Sequence, residues 1–157
     1  MSVEIERKFL VKNDDFKKEY HTKINIKQGF LNSDKNRVVR IRVTNNKAFI
    51  TIKGITNSSG TTRFEWEKEI DIKDAEELLL LCEPTIIEKT RYLIEIGNHT
   101  YEVDEFFGEN EGLVVAEIEL NSENENFNKP NWLDKEVTGD IKYYNSSISK
   151  HPFKNWA

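Results

Sequence analysis

Much of the apparatus of familiar small enzymes is missing from this sequence. Its one cysteine, Cys82, cannot form an internal disulfide, and in the apolar stretch Leu78 to Cys82 a thiol reads as a small buried hydrophobe. The three histidines, His21, His99 and His151, are scattered without the spacing of a zinc site. Neither a GxxxxGK phosphate loop nor a glycine-rich dinucleotide fingerprint is present. No run approaches the ~20 apolar residues of a membrane span. Met1 to Leu10 alternates apolar with charged residues where a signal peptide has an apolar core, so a cytoplasmic protein without membrane attachment is expected. The three prolines and seven glycines form no linker, and no repeat or low-complexity tract divides the chain. Residues 1–157 are therefore expected to form one domain, long enough to bury a core unaided.

Charge is abundant: 32% of residues are Asp, Glu, Lys or Arg against 37% hydrophobic, so the fold must house an unusual density of ionised groups. The net charge of −5 argues against nucleic acid or an anionic membrane as partner, while leaving room for a local basic site. Period-two runs rich in β-branched and aromatic residues predict strands at Val3–Val11, Lys23–Leu31, Arg37–Thr44, Lys47–Gly54, Arg63–Ile72, Thr85–Ile96, Thr100–Phe107 and Leu113–Asn121. Asn45-Asn46 and Gly97-Asn98 suit hairpin turns between antiparallel neighbours. Short helices are predicted at Asp14–Tyr20, Asp74–Cys82, Ser122–Phe127 and Asn145–Lys150. The fold class is mainly β, with a few helices covering a sheet.

In a strand, residues i and i+2 share one face about 6.6 Å apart. Glu4, Glu6 and Lys8 oppose Ile5 and Phe9; Arg40 and Arg42 oppose Ile41 and Val43; Lys53 opposes Ile50 and Ile52. Glu65 and Glu67 oppose Phe64 and Trp66; Lys89 and Arg91 oppose Tyr92 and Ile94; Glu102 and Asp104 oppose Tyr101 and Val103; Glu117 and Glu119 oppose Ala116 and Ile118. Any one such face is most simply the wet side of an antiparallel sheet. Here nearly every strand repeats the pattern, and most pairs carry one sign. Such pairs repel unless a metal holds the acids and an anion the bases, and a metal-bound polyphosphate meets both needs. Periodicity alone leaves open whether the charged face points into a closed barrel or out to solvent.

Glu4-Ile5-Glu6-Arg7-Lys8 has the form E-x-E-x-K, and an ordered series follows it: Val39-Arg40-Ile41-Arg42, Thr51-Ile52-Lys53, Arg63-Phe64-Glu65-Trp66-Glu67, Glu88-Lys89-Thr90-Arg91-Tyr92, Glu102-Val103-Asp104, Glu117-Ile118-Glu119 and Glu136-Val137-Thr138. In this series the chain resembles the CYTH superfamily, the triphosphate tunnel metalloenzymes, and in particular its short bacterial members. The resemblance implies an eight-stranded antiparallel β-barrel forming a charged tunnel, with Mg²⁺ or Mn²⁺ as cofactor. It implies that Lys8, Arg40, Arg42, Lys53, Lys89 and Arg91 grip the triphosphate and that Glu4, Glu6, Glu117 and Glu119 hold metal. Glu65, Glu67, Glu102 and Asp104 would position the bases or complete the metal shell, and Arg63 is a further candidate site residue.

Two departures bear on the chemistry. Some relatives carry a tyrosine in a Q-G-Y element, thought to activate water together with the lysine matching Lys53; this chain reads Gln28-Gly29-Phe30. Where relatives read R-Y-K-N, this chain has Lys142-Tyr143-Tyr144-Asn145, with Lys142 kept as a candidate phosphate contact. The expected activity is metal-dependent hydrolysis of a triphosphate, most simply inorganic triphosphate, with Lys53 as candidate catalytic group. The alternatives are an adenylate cyclase acting on a nucleoside triphosphate and a non-catalytic polyphosphate-binding module. A homodimer is expected if the barrel's apolar exterior is covered by a second copy.

Overall fold

The computed structural model describes residues 2–156. Nine strands follow in chain order: β1 (Ser2–Val11), β2 (Thr22–Asn32), β3 (Val38–Val43), β4 (Ala48–Thr56), β5 (Thr62–Ile70), β6 (Ile87–Ile96), β7 (His99–Phe106), β8 (Val114–Glu119) and β9 (Leu133–Glu136). The eight predicted strands are all present, and all pair antiparallel. Around the wall the order is β1-β5-β4-β3-β2-β6-β7-β8 and back to β1, a closed eight-stranded barrel. Closure depends on β1. Its first half pairs with β5 (Val3↔Phe64) and its second half with β8 (Glu6↔Glu119, Lys8↔Glu117). Where β5 leaves off, β9 takes over that edge of β1 (Phe9↔Glu136), a ninth strand outside the predicted set.

Closure sends the charged faces inward, so the apolar core lies outside the barrel. On one side Phe9, Ile94, Tyr101, Val103, Ala116 and Ile118 pack beneath Phe16 and Trp132, which come from the 3₁₀ turn Asp15–Lys18 and the segment before β9. On another, helix α1 (Ile72–Leu79) lays Ala75, Leu78 and Leu79 on Ile41, Ala48 and Ile50. Burying each large aliphatic or aromatic side chain in this way stabilises by about 1.5–3 kcal/mol. A third cluster, Phe30, Val38, Ile87, Phe106 and Leu113, receives Tyr143, Ile148, Phe153 and Trp156 from the C-terminal segment, which includes helix α2 (Asn145–Ile148). Val3, Ile52 and Trp66, on the outer face of β1, β4 and β5, remain 63%, 36% and 40% exposed.

The predicted helix at Ser122–Phe127 is absent: the segment is irregular. Its carboxylates serve other parts of the chain. Glu125 accepts from the Asn121 backbone N–H and pairs with His99, while Glu123 accepts from Thr62, Asn57 and Ser59. Glu123 thereby ties down the β4–β5 loop, whose Gly60 touches Gly139 at the barrel mouth. Both glycines have positive φ, +79° each, and a Cβ on Gly60 would lie 2.3 Å from the Gly139 Cα. Gly60→Ala is therefore expected to cost about 1–3 kcal/mol and lower the melting temperature by roughly 2–12 °C in a thermal melt. An unchanged melt would show that the two loops do not need this approach.

Candidate functional site

The barrel encloses a cavity of about 290 Å³. Strand order decides what each side of it presents. β7, β8, β1 and β5 are consecutive in the wall and bring Glu102, Glu117, Glu119, Glu4, Glu6, Glu65 and Glu67. Of the other four strands, β4, β3 and β6 bring Lys53, Arg40, Arg42, Lys89 and Arg91, and β2 between them brings Phe30. Acid thus lines one arc and base the opposite one, with Lys8 and Arg63 as the cations set among the acids. All of these residues, each predicted from the sequence, line the one cavity.

Two further predicted residues lie elsewhere. Asp104 is behind the lining, its oxygens committed to Lys89 Nζ (2.7 Å) and to Arg91 Nε and Nη2 (2.8 and 2.9 Å). Lys142 is not among the lining residues; its ammonium sits 4.1 Å from the Trp156 ring centroid, a cation–π contact on the outside of the C-terminal segment. The physical reason is local: residues Ile141–Tyr143 form a 3₁₀ turn that directs Lys142 towards the Trp156 ring.

On the acidic arc, burial and the neighbouring Glu117 and Glu4 hold the Glu6 carboxyl well above the usual carboxylate range. Glu4 is raised as well, chiefly by burial, although Lys53 Nζ lies 3.1 Å from its Oε1. Burial and the nearby Glu4 and Glu102 also raise Glu119. Glu117 goes the other way: burial opposes it, but Lys8, a hydrogen bond with Glu6 and Arg91 hold it far below the usual range. Shifts of opposite direction on the neighbouring Glu6 and Glu117 are what like charges crowded into one buried site produce. Among the described residues no three carboxylate, imidazole or thiol groups converge as a ready-made metal site. The donor chemistry still suits a hard divalent cation, being oxygen throughout, and such an ion would relieve the repulsion among Glu4, Glu6 and Glu117.

On the basic arc, burial pulls the Lys89 ammonium down to about 7 despite Asp104, with Arg91 and Arg42 pushing the same way. Arg42 is lowered by burial and by Arg40 and Arg91. Arg40 donates from Nη2 to Thr51 Oγ1 at 3.0 Å, and Thr51 in turn donates to Glu67 at 2.7 Å. Arg40 Nε, also buried, has no hydrogen-bond partner among the described residues. Buried N–H groups are rarely left so, and an anionic oxygen would complete it. Arg63 is held by backbone carbonyls, donating to Gly54 at 2.7 Å and Lys35 at 3.1 Å.

Several site residues escape sequence reasoning. Gln28, fully buried, donates to Asn145 Oδ1 at 2.8 Å and accepts from Arg42 Nε at 2.8 Å. Thr51, Thr138, Tyr144 and Asn145 also attach to or line the cavity. Being neutral, they are invisible to a search for charge. The signal that could have found them is their place in the motif segments Gln28-Gly29-Phe30, Thr51-Ile52-Lys53, Glu136-Val137-Thr138 and Lys142-Tyr143-Tyr144-Asn145.

The chain matches the model of the CYTH domain over residues 2–151. It is 48% identical over 157 residues to the inorganic triphosphatase of Acetivibrio thermocellus, covering 99% of each chain. To the inorganic triphosphatase of Nitrosomonas europaea it is 33% identical over 150 residues, covering 93% of this chain and 96% of that one. A solved structure described as an inorganic triphosphatase superposes with a TM-score of 0.65 at 32% identity, covering 92% of this chain and 96% of that one.

Proposed function

Because the chain belongs to the CYTH family, we propose that it is a triphosphatase that splits inorganic triphosphate into pyrophosphate and phosphate with the help of Mg²⁺ or Mn²⁺. The observation that carries this reading is the division of the cavity wall into an acidic and a basic arc. A linear polyanion lying between them would meet cations on one side and a metal-binding face on the other. Both relatives named above bear the name of this activity and align along nearly their whole length.

In this reading Arg40, Arg42, Lys89 and Arg91 bind the phosphates, and their low exposure strengthens each charge–charge contact. Glu4, Glu6, Glu117 and Glu119 would hold a divalent ion. Held there, the ion would supply Lewis-acid chemistry, offsetting phosphate charge and lowering the pKa of water. Arg40 Nε and the fork of Arg42 would stabilise charge on the departing phosphate oxygens as the anhydride bond breaks. Lys53, 3.1 Å from Glu4, sits where the two arcs meet, within the cavity wall, where its ammonium would donate to a phosphate oxygen.

The test is a panel of inorganic triphosphate, ATP, thiamine triphosphate and longer polyphosphate with Mg²⁺ or Mn²⁺, with products analysed for phosphate, pyrophosphate and cyclic AMP. Equimolar phosphate and pyrophosphate from inorganic triphosphate are expected. Cyclic AMP from ATP, or binding without phosphate release, would overturn the reading.

A further inference from the structure

The C-terminal segment does more than cover one end of the barrel. Tyr143, Ile148, Phe153 and Trp156 anchor it on the apolar cluster around Phe30 and Phe106, and Lys8 Nζ donates to the Tyr143 carbonyl at 3.3 Å. Between these anchors the chain turns Asn145 into the cavity. Its Oδ1 accepts two hydrogen bonds, from Lys89 Nζ at 2.9 Å and from Gln28 Nε2 at 2.8 Å. Gln28 spends its other end on Arg42 Nε, and Lys89 continues to Asp104 and then Arg91. One amide oxygen thus stands at the middle of a largely buried chain, Arg42–Gln28–Asn145–Lys89–Asp104–Arg91, in which Gln28, Lys89 and Asp104 are buried.

Each bond in the chain limits rotation of a long side chain that would otherwise lose its rotamer freedom only on meeting the substrate. Asn145 offers a neutral acceptor, so it fixes the Lys89 ammonium without cancelling its charge. A carboxylate at this place would compete with phosphate. The bond also joins β2, β6 and the C-terminal segment at the end of the cavity where Arg42 and Lys89 lie.

We propose that Asn145 is a positioning residue, fixing Lys89 directly and Arg42 through Gln28 so that the two cations meet a terminal phosphate already aligned. The inference rests on the triphosphatase reading for the identity of the ligand. It goes beyond that reading in making the C-terminal segment part of the site.

The experiment compares wild type, Asn145→Ala, Lys89→Met and the double variant in steady-state hydrolysis of inorganic triphosphate with Mg²⁺, and in calorimetric binding of the same ligand. Asn145→Ala is expected to raise KM about tenfold while kcat changes less than about threefold. In the Lys89→Met background the same substitution should cost less than about threefold, because the cation it fixes directly is gone and only the indirect hold on Arg42 through Gln28 remains. Additive losses, or an unchanged KM and Kd, would overturn the inference and leave the triphosphatase reading standing. If wild type binds triphosphate without cleaving it, the triphosphatase reading falls and the same comparison in Kd decides the role of Asn145. Absence of both binding and cleavage overturns both. Should Asn145→Ala unfold, Gln28→Met severs the chain from β2 at nearly constant volume and is expected to raise KM several-fold.

Discussion

With Asp104 replaced by asparagine, the protein is expected to melt about 6–20 °C lower at neutral pH. Asp104 is buried and ion-paired with the buried Lys89 and the half-buried Arg91. Removing one partner of such a cluster leaves charge without compensation, at a cost of about 3–5 kcal/mol. In a domain of this length each kcal/mol moves the melting temperature by about 2–4 °C. Burial has already brought Lys89 to about 7, so it sheds its proton readily and Arg91 bears the larger part of the loss.

The effect has a defined pH dependence. Burial alone would raise the Asp104 carboxyl, but Arg91 and Lys89 hold it far below the ordinary 3.8. Its folded value is depressed, so the stability it contributes is fully present above 3.8 and is lost as pH falls from there towards the folded value. Melts of both proteins should therefore converge on acidification. A difference below about 1 kcal/mol at neutral pH would mean that Arg91 and Lys89 find other partners.

Glu6→Gln should produce two effects of opposite sign. In chelator, the variant is expected to melt no lower than wild type, because the substitution removes a carboxyl from a crowd that burial, Glu117 and Glu4 already make unfavourable. With Mn²⁺ or Mg²⁺ near a hundred times its dissociation constant, the wild type gains about 2.7 kcal/mol. That corresponds to about 5–11 °C in the melt. Glu6→Gln should lose most of this shift, and its triphosphate turnover should fall about a hundredfold or more. A full metal-induced shift in the variant would remove Glu6 from the ligand set.

The parts of this molecule that the sequence discloses are those with a period. Arg40–Ile41–Arg42 and Glu117–Ile118–Glu119 announce both a strand and its two faces, and the barrel follows their alternation. Which face points inward depends on β1 meeting β5 and β8, pairings between distant residues such as Val3↔Phe64 and Glu6↔Glu119 that leave no local trace. β9 was unreadable because Leu133-Asp134-Lys135-Glu136 has no alternation; it is a strand only because an edge of β1 stands open beside it. Lys142 lies apart from the cavity lining for a related reason. A charge in a 3₁₀ turn has no strand face to fix its direction, and Trp156, fourteen positions further on, claimed it.

The position of β1 in the wall also governs how the polypeptide can be made. This strand leaves the ribosome first among those described, yet its partner Glu119 on β8 follows more than a hundred residues later. At about 5–20 residues per second, roughly 6–24 s pass before the barrel can close. Throughout that interval the charged inner face supplies no apolar drive for collapse, and of the outer clusters the one beneath α1, complete by Cys82, is available to gather the nascent chain, whereas the cluster around Trp132 must wait for β8 and the segment after it. Sealing by β1 is then a late, long-range event, and until it occurs the edges of β5 and β8 stand open to strands of other chains.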